Sequence, residues 1–562
     1  MMWQLAKVAG VSIPPRLKKF ANLEVALWVS LAAWQVYYRL YTFVADYDRV
    51  MQVASGLNFF SGHELGHHIV ANGDLSRPSP DFLSQWPPGY ALLFDAFLLF
   101  FRRAYAAMLA TDVLAVALFF VGCASLCWRI RDRLTPDARI AFVLVAGLVG
   151  FPSYLQSDLF AVSVMIIALG LLIPSPGRAE VPDASVAVAG FLFALLHPFR
   201  YAYVLVSVAP LSVLIWEARK DLRAWYRVEL FFMAWLVPTL PFLWWKFFYV
   251  RTMVPGSFHG VGTALSNIKN LIWTYPFGSD ALTGNRFVNR FPQFGLWSAP
   301  GFSVWMFLLR HLLSGALIWA AVMGYRGSVE ESGEPARARA FRRLSRLALV
   351  LSVSVASLLV AMTVLQPARR DVKFMLNPVG RALWVEGVRY WMPITPLILV
   401  GLFLACSREP RLRSQRAART LVMVSLGAAA TLWGIVLPRD IARVRHGHVG
   451  GPLSRYYSDQ QPLNEFLVRK TRPGMPNVVA LIGPPTDATY IRVAVATIAG
   501  WGSARVRGAD VIKTSRPVNL VAFLEPAAEP QDVRNFDDIC SRMQASRETL
   551  DYAQICQGTL VR

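Results

Sequence analysis

Charged side chains are scarce in this sequence. Asp, Glu, Lys and Arg together make up 16% of its 562 residues while apolar residues reach 55%, a balance that excludes an ordinary soluble protein. Acidic residues are the rarer sign, 35 against 57 Lys and Arg, for a net charge of +22. Cysteine is scarce as well: five in the whole chain exclude a small scaffold held by many disulfides. There is no internal repeat and no low-complexity tract, which sets aside solenoids and linker-built assemblies. The first segment does not read as a cleavable leader. Lys7, Arg16, Lys18 and Lys19 precede an apolar run of span length with no obvious small-residue cleavage site.

What the chain has instead is long apolar runs, recurring from Val25 to Leu437. A helix needs roughly 20 apolar residues to cross the hydrocarbon core, and backbone groups in lipid must be bonded internally, so repeated runs predict helices rather than an open sheet. The runs fall near 23–44, 104–128, 140–156, 158–173, 185–197, 201–216, 229–249, 302–325, 347–366, 390–406 and 420–437. The region 185–216 also reads as one broken helix. The expected fold class is therefore an all-α polytopic membrane protein of about eleven transmembrane helices.

The basic charge invites a nucleic-acid partner, and its distribution excludes one as the explanation. With the N-terminus (1–22) inside, the segments 1–20, 129–139, 174–184, 217–228, 326–346 and 407–419 are cytoplasmic; these 88 residues hold 24 Lys or Arg. The outer loops 45–103, 250–301 and 367–389 hold 13 in 134 residues. This is the positive-inside bias that orients membrane helices. Residues 87–101 are too few for a full crossing, and a crossing there would place Arg129, Arg131 and Arg133 outside. They are expected to form a short helix in the outer interface.

Residues 438–562 differ in character. Asn477–Gly483 and Asn519–Leu524 read as buried strands bounded by turn residues, followed by a helical stretch from Gln531 to Gln544. A small extracytoplasmic α/β domain is expected here, after a membrane domain over 23–437. Cys123, Cys127 and Cys406 lie in spans, whereas Cys540 and Cys556 lie in the tail. An outside location is compatible with a disulfide between the last two, and two cysteines alone do not decide it.

The first outer loop carries the motifs. Asp46 and Asp48 open it, followed by Arg49, Ala54 and Gly62, and it closes on Gln85-Trp86-Pro87-Pro88-Gly89-Tyr90-Ala91-Leu92-Leu93. Ser157-Asp158 opens a later span, and Arg389-Tyr390-Trp391-Met392-Pro393-Ile394-Thr395-Pro396 leads into another. In order, side and spacing, over roughly residues 20–437, these motifs resemble those of the GT-C glycosyltransferase superfamily. The chain is most similar there to the dolichyl- or polyprenyl-phosphate-sugar-dependent mannosyltransferases and aminoarabinose transferases.

The resemblance implies an enzyme with a large outer cavity, an inverting transfer and a polyprenyl-phosphate-linked sugar donor. The acceptor would be a glycan, lipid or protein. Chemistry makes matching demands. A carboxylate at the membrane surface can act as general base on the acceptor, and the leaving lipid phosphate needs cations, for which the planar Arg fork is well suited. Relatives often carry an Asp-Glu pair where this chain has Asp46-Tyr47-Asp48, which leaves open which carboxylate is the base; the spacing to Ala54 favours Asp46. Arg369, Arg370, Lys373, Arg381 and Arg389 crowd the outer loop 367–389. Of these, Arg370, Lys373 and Arg389, with Tyr390, are candidates for the donor phosphate, and Arg200 of His197-Pro198-Phe199-Arg200 is a further outward cation for it. Interfacial cations that simply bind lipid headgroups would give the same cluster. Asp158, His63, Glu64, His67 and Trp86 are further cavity candidates. No cofactor is required by this chemistry, and a divalent metal is compatible with it. A bacterial inner membrane is the expected location.

Two rival readings stand beside this one. His63-Glu64-Leu65-Gly66-His67 fits the zinc-protease pattern: on a helix, His63 and His67 would share a face and bind zinc while Glu64 activates water. No motif for a third ligand accompanies it. A lipid or solute transporter would account for Arg310 and His311 inside an apolar run.

Overall fold

The computed structural model describes residues 15–41, 47–60, 65–67, 69–70, 74–76, 81–82, 87–102, 104–149, 156–175, 180–200, 203–219, 222–250, 300–330, 335–365, 393–407, 412–445, 461–483, 492–493, 495–496, 499–506, 513–525, 528–550 and 553–561. Within them, each of the eleven apolar runs is helical. In chain order the elements before the tail are α1 (Pro15–Tyr41), α2 (Tyr47–Phe60), β1 (Gly66–His67), β2 (Ile69–Val70), β3 (Asp81–Phe82), α3 (Gly89–Phe101), α4 (Ala104–Ile130), α5 (Pro136–Val149), α6 (Gln156–Leu171), α7 (Asp183–Ala194), α8 (Leu196–Phe199), α9 (Val204–Ala218), α10 (Leu222–Trp245), α11 (Pro300–Glu330), α12 (Pro335–Leu365), α13 (Thr395–Cys406) and α14 (Arg413–Arg445). Ala106–Arg133 and Ala224–Phe248 are long and apolar enough to cross a membrane by length and composition, and several shorter helices are apolar throughout. The region 185–216 is broken, with the single turn α8 between α7 and α9.

Helices continue past the apolar runs that announce them. α12 begins at Pro335, in an Arg-rich stretch, and α14 runs through Pro438 to Arg445, beyond the expected start of the tail. Hydrophobicity marks only the part of a helix that needs an apolar surround; backbone hydrogen bonding continues through Arg and Ala, both good helix formers. The basic end of α12 is tied down: Arg343 donates to Glu217 of α9 at 2.8 and 2.6 Å and to the Leu172 carbonyl at 3.1 Å.

Packing follows residue size. At the crossing of α11 and α13, a Cβ added to Gly324 would lie 2.0 Å from the Gly401 carbonyl oxygen. Small residues let two backbones approach so closely, which is how helices gain contact where no hydrophobic difference drives them together. The surface of α10 is unlike a soluble one, since Met233, Val237, Leu240 and Trp244 are all exposed.

The tail adds α15 (Gln461–Lys470), β4 (Asn477–Ile482), β5 (Gly502–Val506), β6 (Val518–Leu524), α16 (Pro530–Arg542), β7 (Arg547–Leu550) and β8 (Ala553–Leu560). A six-stranded sheet has the order β2-β5-β4-β6-β8-β7, parallel from β2 to β6 and antiparallel beyond. Parallel strands are covered on both faces, and the period of two sorts their residues. Val478, Ala480 and Ile482 meet Phe536 and Ile539 of α16, while Val479, Leu481, Val521 and Phe523 share an apolar cluster with Leu463, Leu467 and Trp501. Cys540 of α16 and Cys556 of β8 form a disulfide.

Candidate functional site

α2 starts at Tyr47, so Asp48 lies in its first turn and Asp46 directly precedes the described helix. One residue on, Arg49 is buried and its Nη2 donates to both carboxylate oxygens of Asp112 on α4, at 2.6 Å each. A buried pair of this kind fixes geometry strongly, because losing one partner strands a charge. The pair therefore holds the start of α2 against α4. Further along, α2 packs on α3, where Asp95 is 7% exposed and lies close to Gly56. Neither Asp95 carboxylate oxygen has a hydrogen-bond partner among the described residues, and burial pushes its carboxyl up to about 7.

The turn closing the outer loop meets a second motif. A Cβ on Gly89 would fall 2.5 Å from the Pro198 carbonyl oxygen and 3.1 Å from the Phe199 ring, so Pro87-Pro88-Gly89-Tyr90 seats directly on His197-Pro198-Phe199-Arg200. Only a residue without a side chain allows that approach. Phe199 in turn stacks at 4.3 Å on Phe160 of α6. Arg200 follows the last turn of α8, its N–H bonded to the Leu196 carbonyl at 2.9 Å. Its side chain grips Asp158 in the first turn of α6 through Nε and through Nη2, the latter at 2.7 Å. The forked pair is buried on both sides. Arg200, an expected cation for the donor phosphate, has its charge matched by Asp158, itself a cavity candidate from the sequence. His197 contacts Ser207 Oγ and meets the Trp235 ring edge-on at 5.4 Å.

Two buried ion pairs, Arg49–Asp112 between α2 and α4 and Arg200–Asp158 between the end of α8 and α6, and the buried Asp95 of α3 place charged side chains inside a largely apolar bundle. Asp95 and Asp112 were not among the sequence candidates. Their signal was available, since an ionisable residue in an apolar run is a candidate by default. Asp46, His63, Glu64, Trp86, Arg370, Lys373, Arg389 and Tyr390 lie outside the described residues, as do Arg369 and Arg381.

His67 is placed, and against the zinc-protease geometry. Leu65 is in a bend, and Gly66 and His67 form β1, paired antiparallel with Phe82 and Asp81 of β3. Two histidines four apart share a face only on a helix, and the described part of the pentapeptide, 65–67, is not helical. Among the described residues no group of three His, Cys, Asp or Glu side chains is gathered to hold a metal.

Comparison with solved structures finds likeness over nearly the whole chain. ArnT from Cupriavidus metallidurans in the apo state is 13% identical with a TM-score of 0.49, over 96% of this chain and 98% of that one. The same protein bound to undecaprenyl phosphate is 12% identical, again with a TM-score of 0.49, over 97% and 98%. The oligosaccharyltransferase AglB from Archaeoglobus fulgidus, in complex with an inhibitory peptide and a dolichol-phosphate, is 11% identical with a TM-score of 0.43, over 84% of this chain and 64% of that one. No protein-family model matches the chain, and no curated protein does.

Proposed function

We propose that this chain is a membrane glycosyltransferase that moves a sugar from a polyprenyl-phosphate-linked donor to an acceptor at the outer face, with inversion. The observation that carries the reading is the seating of Gly89 on Pro198 beside the buried Arg200–Asp158 pair. It brings the end of the first outer loop to the outward polar residues of two later helices, as a shared site requires. In the reaction, the acceptor oxygen or nitrogen attacks the anomeric carbon and the bond from that carbon to the lipid phosphate oxygen breaks. The acceptor proton passes to Asp46, and the lipid phosphate leaves with the bonding pair. Asp48 orients the acceptor. Arg370, Lys373 and Arg389, with Tyr390, stabilise the departing phosphate. The zinc-protease alternative loses its helix at β1.

The test is consumption of polyprenyl-phosphate-linked sugars by the full chain in nanodiscs, with envelope extract as the source of acceptor and released polyprenyl phosphate as the readout. Asp46→Asn keeps side-chain size without basicity, and turnover should fall by roughly a hundred- to ten-thousand-fold with undecaprenyl phosphate binding retained. Replacing Lys373 or Arg389 should weaken that binding. Normal turnover in Asp46→Asn together with its loss in Asp48→Asn would transfer the base role to Asp48. If neither change matters, the mechanism fails.

A further inference from the structure

The first outer loop reaches well beyond the bundle. Between β1 and β3 it enters the tail domain and completes it. Ile69 and Val70 pair in parallel with Ser503 and Ala504, so that β2 is an edge strand of the tail's sheet. Leu75 is 3% exposed and belongs to the core cluster of Val478, Ala480, Ala504 and Phe536; its N–H donates to the Lys513 carbonyl at 2.9 Å.

Asp74 is the hub of this junction. Its Oδ1 accepts from Ser76 N–H at 2.9 Å, from Ser76 Oγ at 2.6 Å and from Ser515 N–H at 3.0 Å, the last across 441 positions of sequence. The Ser76 and Ser515 hydroxyls are 2.8 Å apart. Arg516 donates to the Ser76 carbonyl through Nε at 3.2 Å and Nη2 at 3.0 Å. Burial works against the ionised form, yet the hydrogen bonds from Ser515 and Ser76 hold the Asp74 carboxyl well below the usual carboxylate range.

We propose that Asp74 is a positioning residue that clamps the first outer loop to the tail domain and thereby sets the acceptor side of the transfer site. The role at the site rests on the transferase reading; the clamp does not. The clamped loop lies in sequence between α2, which Asp46 precedes and whose first turn holds Asp48, and Pro87–Tyr90, seated on Pro198. The candidate donor-phosphate groups come from another segment, at 370–390. Releasing the loop should therefore impair use of the acceptor and leave the lipid phosphate alone.

Hydrogen exchange of the full chain in nanodiscs reads the clamp, and donor consumption reads its consequence. Asp74→Ala removes hydrogen bonds to a charged group, so exchange of peptides covering 69–76 and 513–517 should speed up about tenfold. The amount of envelope extract giving half-maximal donor consumption should rise, while undecaprenyl phosphate binding stays at the wild-type level and so reports an intact membrane domain. Asp74→Asn retains an Oδ1 acceptor and should restore both readouts most of the way. Unchanged exchange in Asp74→Ala overturns the clamp. Faster exchange with unchanged dependence on the extract overturns the positioning role. A wild-type chain that consumes no donor defeats the transferase reading, and the acceptor role falls with it; the exchange comparison then decides the clamp by itself.

Discussion

The buried Arg200–Asp158 pair and the buried Asp95 give opposite forecasts. Arg200 and Asp158 are each buried and each the other's forked partner, so Asp158→Asn or Arg200→Met strands or discards a charge. Each single change should cost about 3–5 kcal/mol of stability. The double change Arg200→Met with Asp158→Leu should recover much of that loss, as read by thermal unfolding of the purified chain. Asp95 behaves in the other direction. Its carboxyl is raised to about 7 by burial, so the folded chain binds a proton that the unfolded chain gives up near pH 4. The unfolded state binds fewer protons across this window, and the stability that protonated Asp95 permits is lost as pH rises from about 4 to 7. Asp95→Asn should match the wild type near pH 4 and melt at a higher temperature above pH 7. Equal melting at both pH values would show that Asp95 ionises freely. Asp158 and Arg200 were legible in the sequence as polar residues at the ends of apolar runs. Their pairing was not, because 42 positions separate them and no local pattern specifies which ends meet.

Individual elements were the most legible feature. Within the described residues each apolar run is helical, because in lipid a long apolar segment must satisfy its backbone internally. The short stretch before Arg102 forms the 13-residue helix α3, which at 1.5 Å per residue spans about 20 Å, short of a hydrocarbon core of about 30 Å. A cysteine placed at position 102 should therefore react with an impermeant reagent from the outer side; labelling from the cytoplasmic side alone would mean that α3 crosses. The crossing of α11 and α13 gives a sharper test. Gly324→Val puts branched carbons where the Gly401 carbonyl sits and should destabilise the fold by several kcal/mol, on the order expected for overpacking without room to relax. Near-wild-type melting would mean that the two helices part easily. The elements that sequence missed are the short ones. β1, β2 and β3 have two residues each, too few for any periodicity. The zinc-protease pattern misled for a related reason: it specifies residue types and assumes the helix that Gly66 and the β1–β3 pairing replace.

At the scale of the whole molecule, the charge asymmetry predicts the N-terminus inside and the tail outside. A reporter fused after Arg562 should be active only on the outer side, and a cytoplasmic signal would remove Asp46 from the outer face and the proposed chemistry with it. The disulfide between Cys540 and Cys556 suits an oxidising compartment.

The sequence by itself determined the helical bundle, its basic side and the α/β character of the tail, since each depends on composition within a window or on a period of 2 or 3.6. It also placed the candidate groups in loops and at helix ends. Tertiary structure alone decided which residues meet: Arg49 with Asp112, Arg200 with Asp158, Gly89 with Pro198, and Asp74 with Ser515. Periodicity turns a residue toward the core without naming its neighbour there. Partners are chosen by how the helices cross and by which buried charge and which missing side chain each crossing must accommodate.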